Sequence, residues 1–144
     1  MIRLDEKTIG QIRAFAEAAY PNEACGFLLG KLDEGGRSRQ VEEIIPIDNA
    51  REAGEQYHRF TIEPEDFMRA EKTARGQGRE VLGFYHSHPD HPALPSDYDR
   101  EHALPFYSYI IVAVAKGAAG DVTSWELSED RKEFTKEDVE IWQS

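Results

Sequence analysis

The sequence predicts an α/β domain in which one mixed β-sheet is flanked by helices. Three observations favour this fold class. Two segments carry apolar residues at the spacing of amphipathic helices, several apolar runs of strand length lie around them, and glycine-containing turns join some of these runs as hairpins. Because 144 residues suit one hydrophobic core, we expect residues 1–144 to form a single domain.

The first third of the chain predicts a helix followed by a hairpin. Asp5 can cap a helix that ends before Pro21, since apolar residues recur between them every three or four positions. Residues 23–32 predict a buried strand. The glycine-containing turn at 33–36 then leads into a return strand over 39–47.

The middle of the chain predicts a loop and a second helix. A polar stretch at 48–56 and a short strand at 60–62 precede the helix, which Pro64 begins. The helix is expected to run to about Arg75, because glycines follow directly after it.

The last part predicts one short helix among strands. Residues 80–88 are predicted to form a strand, and residues 89–95 a loop that three prolines stiffen. Ser96 is predicted to begin a helix that ends near Pro105. The remaining strands are predicted at residues 107–115, at 122–127 and, with the alternation of an edge strand, at 137–142.

The charge balance argues against two classes of partner. The chain has 28 acidic and 17 basic side chains, a net charge of -11 with histidine neutral. Such a surface repels phosphate groups, so we expect neither nucleic acid nor an anionic membrane as a partner. Only six of the basic residues are lysines. An acid-rich, lysine-poor surface is also what adaptation to a salt-rich cytosol would produce.

The sequence favours the cytoplasm. No apolar run approaches the ~20 residues of a membrane-spanning helix, and the first residues lack the apolar stretch of a secretory signal. The single Cys25 cannot form an internal disulfide. We therefore expect a cytoplasmic protein.

Two histidines are the main candidates for metal ligands. His86 and His88 lie on a predicted strand, whose period of two points both imidazoles to one side and Ser87 to the other. Asp99, at the third position of the helix that Ser96 would cap, can supply an oxygen ligand. Two histidines and a carboxylate leave a fourth tetrahedral position for water, as in catalytic zinc sites.

Each of these residues also has an ordinary structural interpretation. A His-x-His pair is common on exposed strands, and Ser96 with Asp99 can form a helix capping box. The prolines of the intervening loop favour the metal site, because they fix backbone angles and hold the helix start in a set position relative to the strand.

One segment of the sequence resembles a family signature, that of the JAMM (MPN+, Mov34/PAD-1) zinc metalloproteases. The segment runs from His86 to Asp99 with the pattern HSHP-x2-P-x2-PS-x2-D, and Gly-Phe-Tyr precedes it at 83–85. The pattern P-x-E-x-C-G at 21–26 resembles the acidic element of the family's small bacterial members. The resemblance implies the JAMM/MPN fold, which is cytidine-deaminase-like, over nearly the whole chain. It also implies one zinc ion per chain, held by His86, His88 and Asp99 with water as the fourth ligand.

The resemblance further implies catalytic roles for Glu23 and Ser96. Glu23 would act as general acid/base, since a proton must be taken from the attacking water and returned to the leaving amine. Its ordinary interpretation is an exposed acid at the start of a strand. Ser96 would help to stabilise the oxyanion. Its ordinary interpretation is a helix cap, and we expect that its one hydroxyl hydrogen cannot serve both functions.

Other candidate residues carry weaker signals. A lone cysteine in an apolar strand favours a buried structural role for Cys25. His91 and His102 are candidates for contacts around the ligands or with substrate. His58 has no identifiable partner in the sequence.

The expected function is hydrolysis of a peptide or isopeptide bond by metal-activated water. By resemblance, the substrate is the C-terminal Gly-Gly tail of a ubiquitin-like or sulfur-carrier protein, bound as an added strand in the active groove. The alternatives are a general metallopeptidase without a dedicated carrier and a non-catalytic MPN scaffold. A zinc nucleobase deaminase is disfavoured, because neither His-x-Glu nor Pro-Cys-x-x-Cys occurs.

Overall fold

The computed structural model describes residues 1–33, 35–36, 38–47 and 62–143. Within these residues an eight-stranded mixed sheet carries helices on both faces, as the sequence predicts. The strands are β1 Ile2–Asp5, β2 Cys25–Leu32, β3 Arg39–Ile47, β4 Glu80–Pro89, β5 Ser108–Ala115, β6 Ala118–Leu127, β7 Phe134–Glu137 and β8 Val139–Trp142. The helices are α1 Glu6–Ala19, α2 Pro64–Gly76 and α3 Asp97–His102.

The helix ends agree with the local signals that predict them. At the start of α1 the Asp5 side chain accepts a hydrogen bond of 2.8 Å from the Thr8 N–H. Pro64 occupies the first turn of α2, where its missing N–H leaves no hydrogen bond unmade. Among the described helices, none is long and apolar enough to cross a membrane.

Strand β4 is central to the arrangement. It pairs antiparallel with β2 and parallel with β5 in a sheet of order β7-β6-β5-β4-β2-β3-β1-β8. The predicted hairpin of β2 and β3 is confirmed. Because β4 and β5 run parallel, the connection between them crosses over and carries α3. The carboxyl end of β4 therefore lies close to the start of this connection.

The core has two halves, one on each face of the sheet. On one face α1 packs Ile9 and Ile12 against the strands. On the other face α2 packs Ala70 and Ala74 against a cluster that includes Phe84. The central strands are covered on both sides, which explains their near-continuous apolar sequences. This burial makes them a rigid base for the residues at their ends.

Two short strands lie outside the sequence prediction. β1 has four residues, and its partners β3 and β8 are distant in sequence, so no local turn signal marks it. β7 also has four residues, and a single residue separates it from β8. The predicted edge strand corresponds to β8, which does lie at an edge. β6 begins at Ala118 rather than 122, because the turn before it is shorter than predicted.

The sheet curls until its two edges approach each other. β7 and β8 are the outermost strands at opposite ends of the sheet order, yet only Asp138 separates them. One residue spans at most about 3.6 Å. The Asp138 carbonyl accepts a hydrogen bond of 3.0 Å from the Ile2 N–H of β1. The two edges therefore adjoin at this corner of the molecule.

Some predictions fall outside the described residues. These are the polar stretch at 48–56, the strand predicted at 60–62 apart from its last residue, and His58.

Candidate metal centre

Two histidines at the carboxyl end of β4 form the core of the site. His86 and His88 project from the same side of the strand, and their Nε2 atoms lie 3.2 Å apart. Both side chains are buried. The strand period of two therefore brings the imidazoles together as predicted.

Helix α3 brings a carboxylate to the two imidazoles. Asp99 Oδ2 lies 3.1 Å from His88 Nε2, and Asp99 Oδ1 lies 3.3 Å from His86 Nε2. The same carboxylate accepts a hydrogen bond of 2.9 Å from the Ser96 N–H, and the Asp99 N–H donates to Ser96 Oγ at 3.0 Å. Two residues thus form the capping box and also bring a carboxylate to the histidines, so the two interpretations are compatible.

The helix cap uses the oxygen of the Ser96 hydroxyl and not its hydrogen. Its oxygen accepts the hydrogen bond from the Asp99 N–H, so this bond does not consume the hydroxyl hydrogen. The expectation that the cap and the oxyanion would compete for the one hydroxyl hydrogen is wrong, because the cap does not use this hydrogen. Capping needs a lone pair, whereas oxyanion stabilisation needs the proton.

A backbone carbonyl orients His88. Its Nδ1 lies 2.9 Å from the carbonyl oxygen of Pro92. A carbonyl can only accept, so Nδ1 carries the hydrogen, and in the neutral imidazole Nε2 keeps the lone pair that a metal requires. The proline loop thus selects the tautomer of His88 that can bind a metal.

Glu23 lies just before β2 and beside the histidines. Contact with β4 continues before the first residue of β2, because the Ala24 N–H donates to the Ser87 side-chain oxygen Oγ at 2.8 Å and the Ser87 N–H donates to the Ala24 carbonyl at 3.1 Å. One residue farther, this register sets Glu23 opposite His88. One oxygen of its carboxylate lies within 4.8 Å of a ring nitrogen of each imidazole. Glu23 is only 4% exposed, which excludes its interpretation as an exposed acid.

The surroundings of Asp99 and of His88 shift the pKa of each of these two side chains. Burial would raise the pKa of Asp99, but the two imidazoles and the Ser96 N–H outweigh it and hold this pKa well below its ordinary range. Burial would lower the pKa of His88, but its contacts with Asp99 raise this pKa above its ordinary value. Asp99 is therefore ionised at neutral pH, and its charge favours a cation among these side chains.

The donor set fits a metal ion such as zinc. Nitrogen and oxygen ligands about 2.0–2.1 Å from a tetrahedral zinc ion lie about 3.3 Å from one another. The two Nε2 atoms lie 3.2 Å apart, His88 Nε2 lies 3.1 Å from Asp99 Oδ2, and His86 Nε2 lies 3.3 Å from the other oxygen, Oδ1. The two imidazoles and the Asp99 carboxylate therefore lie close enough together to bind one ion.

The site lies between two cavities. One, of about 310 Å³, is lined by Glu23, His88 and Ser96. The other, of about 200 Å³, adjoins His86 and has largely apolar walls from α2, β4, α3 and β5. Asp99 borders both cavities. A ligand in either cavity would therefore lie next to the same cluster of two histidines and Asp99.

The sequence and the fold match a known family. A family model described as prokaryotic homologs of the JAB domain, Prok-JAB, matches residues 5–128. The chain belongs to this family. The matched span of the Prok-JAB domain includes Glu23, both histidines, Ser96 and Asp99.

Relatives of this Prok-JAB chain carry names that describe their activity. A desampylase of Haloferax volcanii is 33% identical over 107 residues, which cover 74% of this chain and 73% of the relative. A probable TtuB-protein conjugate cleaving protease of Thermus thermophilus is 31% identical over 101 residues, which cover 70% of this chain and 62% of the relative.

Solved structures share the Prok-JAB fold. A solution structure of a Desulfitobacterium hafniense protein is 31% identical and has a TM-score of 0.86, covering 100% of this chain and 94% of that chain. A crystal structure of a JAB1/MPN domain protein from Archaeoglobus fulgidus is 19% identical and has a TM-score of 0.60, covering 99% and 98%. The JAMM/MPN fold predicted from the His86–Asp99 pattern is confirmed.

Not every candidate residue belongs to the centre. His91 borders the 310 Å³ cavity and His102 the 200 Å³ cavity, and both are exposed. Cys25 is buried in β2, with its Sγ 3.6 Å from the Ile47 carbonyl. Its structural role stays a prediction.

Sequence reasoning misses two groups that position the site. Ser87 fixes the segment that carries Glu23, and the Pro92 carbonyl orients His88. The alternation along β4 indicates that Ser87 faces away from the histidines, but it does not reveal a partner. A backbone carbonyl has no signature in the sequence at all.

Proposed function

We propose that this Prok-JAB protein is a zinc-dependent isopeptidase that cleaves a peptide or isopeptide bond at the C-terminal Gly-Gly tail of a ubiquitin-like or sulfur-carrier protein. The observation that carries the proposal is the convergence of two imidazoles and Asp99, 3.1–3.3 Å apart, beside the buried Glu23. The names of the two relatives, a desampylase and a conjugate cleaving protease, support the substrate class.

Three side chains would hold the metal. His86, His88 and Asp99 would bind one zinc ion per chain, with water as the fourth ligand. When bound, zinc lowers the pKa of coordinated water to about 7 and polarises the scissile carbonyl. His88 is suited to binding by the tautomer that the Pro92 carbonyl selects, and Asp99 by its ionised form.

Glu23 would move the proton. Its carboxylate takes a proton from the attacking water and returns it to the leaving amine, which is a poor leaving group without one. Two hydrogen bonds between Ala24 and Ser87, one of them to the Ser87 hydroxyl, hold Glu23 beside the imidazoles. No covalent enzyme intermediate is needed, because water is the nucleophile.

Ser96 would stabilise the developing oxyanion. It lines the same cavity as Glu23 and His88. Its oxygen is occupied by the cap of α3, which holds the hydroxyl in place while its hydrogen donates to the tetrahedral intermediate.

The two cavities suggest how a conjugate would lie. Because Glu23 must reach the leaving amine, the leaving group would occupy the 310 Å³ cavity. The carrier tail would approach through the apolar 200 Å³ cavity on the other side of Asp99. Apolar walls with few polar groups are typical of ligand-binding sites.

The test measures bound metal and cleavage of a ubiquitin-like carrier extended past its Gly-Gly terminus. We expect a chelator to abolish cleavage and zinc to restore it. His88→Ala should lose both metal and activity. His91→Ala is the matched control, because His91 is an exposed histidine near the site that is not a proposed ligand, and it should retain the metal.

Two results would replace this proposal. Absence of bound metal at micromolar zinc would exclude an enzymatic function and favour the non-catalytic MPN scaffold. Equal cleavage of unrelated peptides and of the extended carrier would favour the general metallopeptidase. The cytoplasmic location, the absence of nucleic-acid and membrane partners, and the single domain over 1–144 stay predictions.

A further inference from the structure

The loop between β4 and α3 is fastened to the rest of the fold near its start. Asp90 Oδ2 accepts a hydrogen bond of 2.6 Å from Tyr20 Oη, and Oδ1 accepts one of 2.8 Å from the Lys116 N–H. The Asp90 N–H donates to the Val114 carbonyl at 2.6 Å. These bonds tie the loop to the end of α1 and to the β5–β6 turn.

A second fastening point lies three residues later, at Ala93. The Ala93 carbonyl accepts a hydrogen bond of 2.6 Å from Thr123 Oγ1 on β6. Trp125 Nε1 donates to the same Thr123 oxygen at 2.8 Å. Since Trp125 acts as the donor in that bond, the single hydroxyl hydrogen of Thr123 is used for Ala93.

The carbonyl that orients His88 lies between these two points. Pro92 O accepts hydrogen bonds from His88 Nδ1 at 2.9 Å and from the Leu94 N–H at 2.8 Å. The Pro92 carbonyl belongs to the peptide unit that joins Pro92 to Ala93, so displacement of Ala93 moves it directly. The His88 ring would follow, because this hydrogen bond fixes the orientation of the imidazole.

We propose that Thr123 and Asp90 are positioning residues for His88, acting through the Pro92 carbonyl. The inference rests on the proposed metal site. Groups that orient a metal-bound histidine typically contribute about 10–100-fold to metal affinity. Here that group is a backbone carbonyl, which no side-chain substitution removes. Its contribution must therefore be measured through the residues that hold it.

The experiment measures the zinc Kd by competition with a chelating dye, and the visible absorption of bound Co²⁺ as a report on ligand geometry. Thr123→Val keeps the side-chain shape but removes the donor, so we expect zinc affinity to fall about tenfold and the Co²⁺ spectrum to change. Thr123→Ser keeps the hydroxyl and should bind zinc like the wild type.

Trp125→Phe is the matched control. It removes the other hydrogen bond to Thr123 and leaves the Thr123–Ala93 bond intact. We expect it to lower Tm without changing the zinc Kd, whereas Thr123→Val should change both. A loss of zinc affinity in Trp125→Phe equal to that in Thr123→Val would assign the effect to general destabilisation and overturn the inference.

Asp90→Asn tests the other fastening point. Asn tolerates the left-handed φ of 57° at this exposed position but offers one acceptor oxygen instead of two. We expect weaker zinc binding in a folded protein, and this variant decides the question if Thr123→Val does not fold. If the folded variants bind zinc as tightly as the wild type, this inference is overturned while the proposed function stands. A wild-type protein that binds no zinc would overturn the proposed function and this inference with it.

Discussion

Ser96 joins the start of α3 to the proposed chemistry through different parts of one hydroxyl. Its oxygen accepts the Asp99 N–H, whereas its hydrogen is proposed to stabilise the oxyanion. Asp99 similarly accepts the Ser96 N–H while its carboxylate faces both imidazoles. Because the two functions of Ser96 need different atoms, substitutions can separate them.

Ser96→Gly should lose activity with little loss of stability. Glycine is an acceptable N-cap, so we expect the free energy of unfolding to fall by only about 0.3 kcal/mol. Loss of the hydroxyl donor should reduce kcat by about 100–1,000-fold. Ser96→Thr should retain both properties. Urea denaturation and single-turnover kinetics measure the two effects, and a wild-type kcat in Ser96→Gly would exclude the oxyanion role.

Among the secondary-structure elements, β4 carries both histidines of the site. Its neighbouring strands β2 and β5 pack closely against it and fix its position. A Cβ atom at Gly83 of β4 would lie 1.9 Å from the Ser108 carbonyl oxygen of β5. A Cβ atom at Gly26 of β2 would lie 2.4 Å from the side chain of Tyr85. Glycine at these positions therefore permits the close packing of the strands that carry or adjoin His86.

Gly83→Ala should disturb both the fold and the site. The added methyl group would force β4 and β5 apart, and we expect a loss of about 3 kcal/mol in the free energy of unfolding together with weaker zinc binding. Gly120→Ala is the matched control, because its Cβ would lie 3.9 Å from the nearest atom, the Ala113 carbonyl oxygen. Urea denaturation measures both variants. Equal stability of the two would contradict the packing argument.

Local signals explain which parts of the molecule are predictable. His86 and His88 follow from the strand period, and Asp99 follows from its place after a helix cap. β1 and β7 do not follow, because each has four residues and β1 pairs only with strands distant in sequence. The same is true of the Thr123–Ala93 bond, since a contact between a side chain and a distant carbonyl leaves no periodic pattern.

For the whole molecule, the net charge of -11 is the unusual property. The proposed chemistry uses Glu23 and Asp99, both of them buried, so the excess of acids belongs elsewhere. Close acidic groups on a surface repel one another and oppose compaction. Salt relieves this repulsion, because the screening length falls from about 10 Å at 0.1 M to about 3 Å at 1 M.

We therefore expect Tm to rise with KCl concentration from low to molar salt. The measurement is thermal unfolding of the metal-free protein, so that salt effects on zinc binding do not contribute. Sucrose at matched osmolality serves as a control that excludes a general effect of added solute. A Tm that stays flat across the KCl series would contradict adaptation of this surface to salt.

The most direct test of the central claim compares wild-type protein and Glu23→Gln, both loaded with zinc, on a ubiquitin-like carrier extended past its Gly-Gly terminus. Glutamine has the size of glutamate but cannot take and return a proton. We predict that Glu23→Gln binds zinc as tightly as the wild type and that its kcat falls by about 100–10,000-fold. Cleavage by Glu23→Gln at the wild-type rate, with zinc bound, would contradict the proposed mechanism.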